Sequence, residues 1–187
     1  WSDWIQNMPL FKVGSRLYID TQLSRFYIMY IDKSHCVNQL NSLKAIWDNQ
    51  NVVIIEGTKS RTGIGNDLYD NVKSLSRILG PATDAFSMYD EMLEAIVKHV
   101  SKDNLILLSY GPTATILAYD LAKLGYWAVD IGHLDIEYEW FLQKATDSVA
   151  IKGKFTNENK QGHFVEDCID QMYLSQIICD ITKDIAK

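Results

Sequence analysis

The sequence predicts an α/β fold with a Rossmann-like open, mostly parallel sheet and helices on both faces. Three observations carry that expectation. Two short apolar runs, NVVIIE (51–56) and NLILLS (104–109), suit strands buried on both faces. Each is followed by a loop and an amphipathic stretch, and a further strand, YWAVDI (126–131), completes a βαβ unit.

Up to Lys33 the chain is aromatic-rich without a clean period and reads as partly helical or irregular. From Ser34, a plausible N-cap, the spacing of Cys36, Leu40, Leu43, Ile46 and Trp47 predicts a helix. After the first strand comes the loop GTKSRTGIGND. A helix is then expected from Asp67 onward, on the spacing Leu68, Val72, Leu75 and Leu79, with Gly80-Pro81 as its stop. A second helix over 89–100 carries Met92, Leu93, Ile96, Val97 and Val100. The βαβ unit consists of strand 104–109, a Tyr-Gly-Pro turn, helix 113–124, Gly125 and strand 126–131, and its crossover should be right-handed. Met172, Tyr173, Ile177 and Ile178 predict a C-terminal helix, with Cys168 and Cys179 packing at its flanks.

A chain of 187 residues, 47% hydrophobic and 22% charged, is long enough to bury a sizeable core. Twenty-four acids against eighteen bases, with no basic block interleaved with aromatics, argue against a nucleic-acid partner. No run reaches the roughly 20 apolar residues of a membrane span, and no leader pattern appears, so the expected location is cytoplasmic, without a transmembrane segment. Three cysteines without Cys-x-x-Cys spacing are expected to be reduced thiols.

Ligands of open α/β sheets bind beyond the carboxyl ends of the strands, so three loops are expected to converge there. The first sets Gly57, Gly63 and Gly65 among Ser60, Arg61, Asn66 and Asp67. Backbone N–H groups freed by glycine, a helix N-terminus and a bidentate arginine would cradle a diphosphate. An ordinary glycine-rich surface loop with Asn66 or Asp67 as helix cap fits the same letters. The second loop puts Gly111 and Pro112 before the hydroxyls of Thr113 and Thr115 at a helix start, with Asp130 at the next strand end where it could bind ribose. A simple helix cap and a solvated aspartate are the plainer alternative. In the third, DIGHLDIEYE, either an extended or a helical backbone clusters His133, Asp135, Glu137 and Glu139. Such oxygen ligands suit Mg2+ or Mn2+, although an acidic first helical turn would look the same.

Read in order, IIEGTKSRTGIGNDLYDNVKSLSRILGP (54–81), YGPTATILAYDLAKLGYWAVDIGHLDIEYEW (110–140) and the weaker VEDCIDQMYLSQIIC (165–179) resemble bacterial glycosyltransferases of the GT-D fold. The resemblance implies a UDP-sugar donor, glucose or a related hexose, and transfer to a growing bacterial surface or protein-linked glycan. It also implies a divalent metal, Mn2+ or Mg2+, held by an Asp-x-Glu triplet, for which Asp135-Ile136-Glu137 is the match. With the resemblance, the residues of the first two loops, Asp130 and His133 are assigned to the nucleotide sugar, and Asp135, Glu137 and Glu56 to catalysis. The base for the acceptor hydroxyl stays open among Glu56, Asp67 and Glu137. The whole chain, 1–187, is expected to form one domain of that kind. The resemblance also implies an upstream Gly-Asp-Gly-Glu segment; because the sequence starts at Trp1 and no such segment precedes Lys33, the chain is expected to lack its natural N-terminal segment. The competing readings are a non-catalytic nucleotide-sugar-binding module, a nicotinamide-dependent oxidoreductase and a structural interaction domain.

Overall fold

The computed structural model describes residues 22–183, so expectations for the earlier N-terminal stretch lie outside the described residues. Helix α1 (Cys36–Lys44) leads into β1 (Asn51–Gly57), which is followed by β2 (Ser74–Gly80). A 3-10 turn (Ala85–Met88) opens α2 (Tyr89–His99), and then come β3 (Leu105–Ser109), α3 (Thr113–Lys123), β4 (Trp127–Asp130) and α4 (Leu134–Leu142). The chain closes with a second 3-10 turn (Lys160–His163), α5 (Gln171–Gln176) and β5 (Ile177–Asp180). The five strands lie in the order β4-β3-β1-β2-β5, and every pair is parallel.

Alternation along the central strands divides the core into two layers. Val52, Ile54, Leu105 and Leu107 face α1 and α4, whereas Val53, Ile55, Ile106 and Leu108 face α2 and α3. The chain moves in one direction across the sheet from β2 through β3 to β4, and both connections carry helices on the same face. From β1 to β2 it moves the other way, and Leu68 and Tyr69 of that connection pack on the opposite face. Crossovers of a single hand require this arrangement.

Three sequence expectations need correction. The helix expected from Asp67 is a string of turns followed by β2. Reverse-turn bonds close Asp70 N–H on Asp67 O and Val72 N–H on Tyr69 O, and Lys73 N–H donates to Gln50 O at 2.8 Å, which draws the chain alongside β1. The spacing of Leu68, Val72, Leu75 and Leu79 imitates a helix, while Arg77 interrupts what would otherwise read as a buried strand. That arginine is satisfied across the sheet, donating to Glu56 Oε1 of β1 at 2.7 Å and to Gln176 Oε1 at 2.8 Å. At the C-terminus the apolar run is six helical residues followed by an edge strand, and Met172 and Ile178 stand exposed. Ser34 does not cap α1; its N–H donates to Asp32 at 2.8 Å, and the helix starts two residues later.

Candidate active site

Strands β1 and β3 lie side by side, yet the chain leaves β1 toward β2 and β3 toward β4. Their carboxyl ends therefore diverge, which is where a doubly wound sheet opens a ligand crevice. A cleft of about 970 Å3 occupies that point. Gly57 and Ser60 approach it from β1, residues 81–86 from β2, residues 109–113 from β3, and Asp130, Gly132 and His133 from β4. Thr115 and Asp135 also line the cleft, as does Arg25, a residue that no motif singled out.

Local sequence explains each approach. Gly57 brings two loops close, because a Cβ there would lie 3.1 Å from Ala82 Cα and 3.2 Å from Pro81 O. Gly111 turns with φ +56 into α3, whose positive end faces the cleft. Neither Thr113 nor Pro112 makes a side-chain cap on α3. Thr115 Oγ1 instead donates to Asp130 Oδ2 at 2.8 Å, and Asp130 Oδ1 accepts from Gly132 N–H at 3.0 Å.

Also beyond β4, His133 Nδ1 lies 3.5 Å from Glu158 Oε1, the oxygen to which Arg25 donates at 2.7 Å. Burial pushes the His133 ring below its ordinary value, against the raising pull of Glu158, so it is neutral at neutral pH. Burial pushes Glu158 up, but the Arg25 bond and His133 outweigh it and hold the carboxyl below its usual value.

Several sequence-assigned residues stand elsewhere. Arg61 is buried and donates to the backbone carbonyls of Gly153, at 2.9 Å, and Glu166, so its guanidinium fastens a loop and does not reach the cleft. Gly63, Gly65, Asn66 and Asp67 line a separate hollow of about 490 Å3 beside Tyr69 and Arg77. Tyr138 donates its hydroxyl to Asp67. Glu56 is fully buried, pairing with Arg77 and accepting from Thr62 N–H at 2.7 Å, and it does not line the cleft where an acceptor hydroxyl would stand.

The Asp135-Glu137 pair does not fit a divalent metal. Asp135 Oδ1 accepts from Gly63 N–H at 2.8 Å and Asn66 Nδ2 at 2.9 Å. Lys154 Nζ stands 3.0 Å from its Oδ1 and 2.8 Å from its Oδ2 and also holds Glu139 Oε1 at 2.8 Å. An ammonium ion therefore fills the place of a cation. Two positions on, Glu137 Oε2 accepts from Tyr27 N–H at 3.1 Å and Ile28 N–H at 2.9 Å, and among the described residues Oε1 has only Arg25 at 3.8 Å. The two carboxylates serve different partners. Among the described residues no group of three or more His, Cys, Asp or Glu is placed to hold a metal.

Lys154 and Arg25 were missed by sequence reasoning. A lysine in IKGKF carries no mark of burial, and Arg25 sits in an aromatic stretch without period. Cys36 is buried with its thiol pushed up by burial, and none of Cys36, Cys168 and Cys179 is in a disulfide. No described helix is long and apolar enough to cross a membrane.

The comparisons with known proteins agree with this geometry. A family model described as the glycosyltransferase GT-D fold matches residues 1–159. The chain is 42% identical over 164 residues to the glycosyltransferase GlyD of Streptococcus pneumoniae serotype 4, covering 88% of this chain and 20% of that protein. It is 39% identical over 167 residues to the probable glycosyl transferase Gly of Streptococcus gordonii, covering 89% of this chain and 24% of that one. A solved structure described as a new glycosyltransferase from Streptococcus sanguinis superposes with a TM-score of 0.82 at 40% identity, over 87% of this chain and 60% of that chain. Another, of the highly conserved domain of unknown function 1792 with a distinct glycosyltransferase fold, gives 0.84 at 39% identity, over 91% and 61%. The chain thus spans a fifth to a quarter of these curated relatives and about three fifths of the solved chains. Sequence match over most of its length and a shared parallel sheet lead to one conclusion: the chain belongs to the family of glycosyltransferases with the GT-D fold.

Proposed function

We propose that the cleft holds a UDP-hexose, glucose or a relative, and that the chain is the donor-binding core of a glycosyltransferase that extends a bacterial surface or protein-linked glycan. The convergence of three strand-end loops at the reversal of strand order, beneath the positive end of α3, supports this reading. Asp130, tied to Thr115, offers carboxylate oxygens to ribose hydroxyls at the β4 side. Gly57, Gly111 and Thr113 border the centre, where backbone and hydroxyl groups meet phosphate without steric cost. Arg25 is the guanidinium on this wall, and charge growing on a leaving diphosphate would be stabilised by it and by the helix end.

Lys154 and backbone donors already occupy Asp135 and Glu137, so Arg25 and the end of α3, and not a metal on that triplet, meet the diphosphate charge. Glu56 is likewise removed as a base by its pairing with Arg77.

Isothermal titration with UDP tests the assignment. Arg25→Ala is expected to weaken UDP binding by about tenfold, the size of one charge-assisted contact. Arg61→Ala, provided its circular dichroism shows a folded chain, should leave UDP affinity unchanged. Loss of affinity in Arg61→Ala alone, or no UDP binding by the wild type, refutes the assignment. Turnover of UDP-glucose separates a transferase from a module that only binds nucleotide sugar.

A further inference from the structure

The wall contributed by the loop after β2 has chemistry that the donor's nucleotide does not use. Phe86 is 58% exposed and stands on the cleft, leaving a large apolar face in water at the mouth of a polar site. The ring is fixed. It packs against Tyr89 at 5.4 Å between centroids, and Tyr89 in turn donates its hydroxyl to Asp120 Oδ2 of α3 at 2.7 Å. Two residues earlier Asp84 adopts the left-handed backbone, φ 51, which is uncommon for a residue with a side chain. Its carbonyl accepts from Ser87 N–H at 3.1 Å and Ser87 Oγ at 2.7 Å, whereas its exposed carboxylate makes no hydrogen bond or ion pair with the described residues. The tip is therefore a built turn that presents one aromatic face and one free carboxylate to the same cleft.

We infer that Phe86 and Asp84 form a subsite for a hexose ring. A pyranose has an apolar C–H face and a rim of hydroxyl donors; an aromatic face covers the first, and a carboxylate accepts two adjacent donors of the second. Position along the cleft favours the sugar over the nucleobase. Asp130 follows β4 and Phe86 lies beyond β2, three strand spacings away, or roughly 14 Å. With ribose at Asp130 and diphosphate at the centre, the hexose end of the nucleotide sugar comes to the β2 side. This placement rests on the donor reading above, although the subsite chemistry does not. The hexose can be the donor's own or the terminal ring of the acceptor.

Two measurements on wild type, Phe86→Ala, Phe86→Tyr and Asp84→Asn test the inference. Saturation-transfer NMR with methyl glucoside should show ring-proton contact in the wild type and in Phe86→Tyr, and roughly tenfold less in Phe86→Ala and in Asp84→Asn; undiminished contact in Asp84→Asn would remove Asp84 from the subsite. Titration with UDP and UDP-glucose identifies the source: a donor hexose is indicated if Phe86→Ala weakens UDP-glucose alone, and an acceptor hexose if only the methyl glucoside contact is lost. Methyl glucoside contact that depends on Phe86 without any UDP binding would uphold the subsite while overturning the donor reading. Unchanged glucoside contact and UDP-glucose affinity in Phe86→Ala, or an equal loss of UDP affinity, would overturn the subsite itself.

Discussion

Lys154 is 3% exposed and bridges Asp135 and Glu139, which Asn66 Nδ2 also touches at 2.9 and 2.7 Å. Removing the ammonium leaves buried carboxylate unpaired, so Lys154→Met is expected to cost about 3–5 kcal/mol in urea unfolding. Relocation of the Gly63–Asn66 turn should accompany that loss, whereas UDP affinity should follow only the folded fraction. Glu137 gives a pH signature of its own. Burial raises its carboxyl, and the Ile28 and Tyr27 N–H groups pull it only partly back. The folded state therefore binds the proton more tightly than the unfolded state, whose value is near 4.5. The stability that this proton confers is present below that value and is lost as pH rises from there through the raised folded value. A pH series of unfolding free energies should show the decline in wild type and not in Glu137→Gln, and identical slopes would exclude Glu137 as its source. Residues of this kind were the least legible in the sequence. An arginine beside glycines reads the same whether it reaches a ligand or, like Arg61, a carbonyl 92 positions away.

At the level of elements, the strands were readable wherever a β-branched run stood unbroken, as in β1 and β3. Strand β2 was not, because Arg77 interrupts its run and only the partner on β1 shows that the charge is buried and paired. Gly80 at the end of β2 was read as a helix stop, yet its role is steric. A Cβ there would run into the Tyr110 ring and lie 2.8 Å from Met92 Cε. Gly80→Ala is therefore expected to destabilise by about 1–3 kcal/mol through overpacking. The buried Tyr110 hydroxyl it would strike has no hydrogen-bond partner among the described residues. Tyr110→Phe alone should be neutral or slightly stabilising, and in the Gly80→Ala background it should recover part of the loss. Thermal or urea unfolding of the four combinations checks this, and additive effects would refute the clash.

For the molecule as a whole, fold class was legible because the β3-α3-β4 unit together with the unbroken buried run of β1 leaves few topologies open, even though the helix expected after β1 is absent. The same logic placed Gly57, Ser60, Gly111, Pro112, Thr113, Thr115, Asp130, His133 and Asp135 at one rim, since all follow strand ends. It also overreached: Gly63, Gly65, Asn66 and Asp67 follow the same strand but turn away from the cleft. Proximity in sequence to a strand end sets the region, and the partners that fix a loop decide which of its residues face the opening. The connection from β1 to β2 has one more consequence, for the order in which the chain acquires its shape. That connection has no helix of its own, and its turns are pinned by Asp135, Gly153, Phe155 and Glu166. During synthesis the first strand emerges long before these anchors do. The neighbourhood of Arg61 and Gly63 must therefore stay uncommitted until the last third of the polypeptide arrives, and that patch should be the slowest to gain protection from amide exchange during refolding.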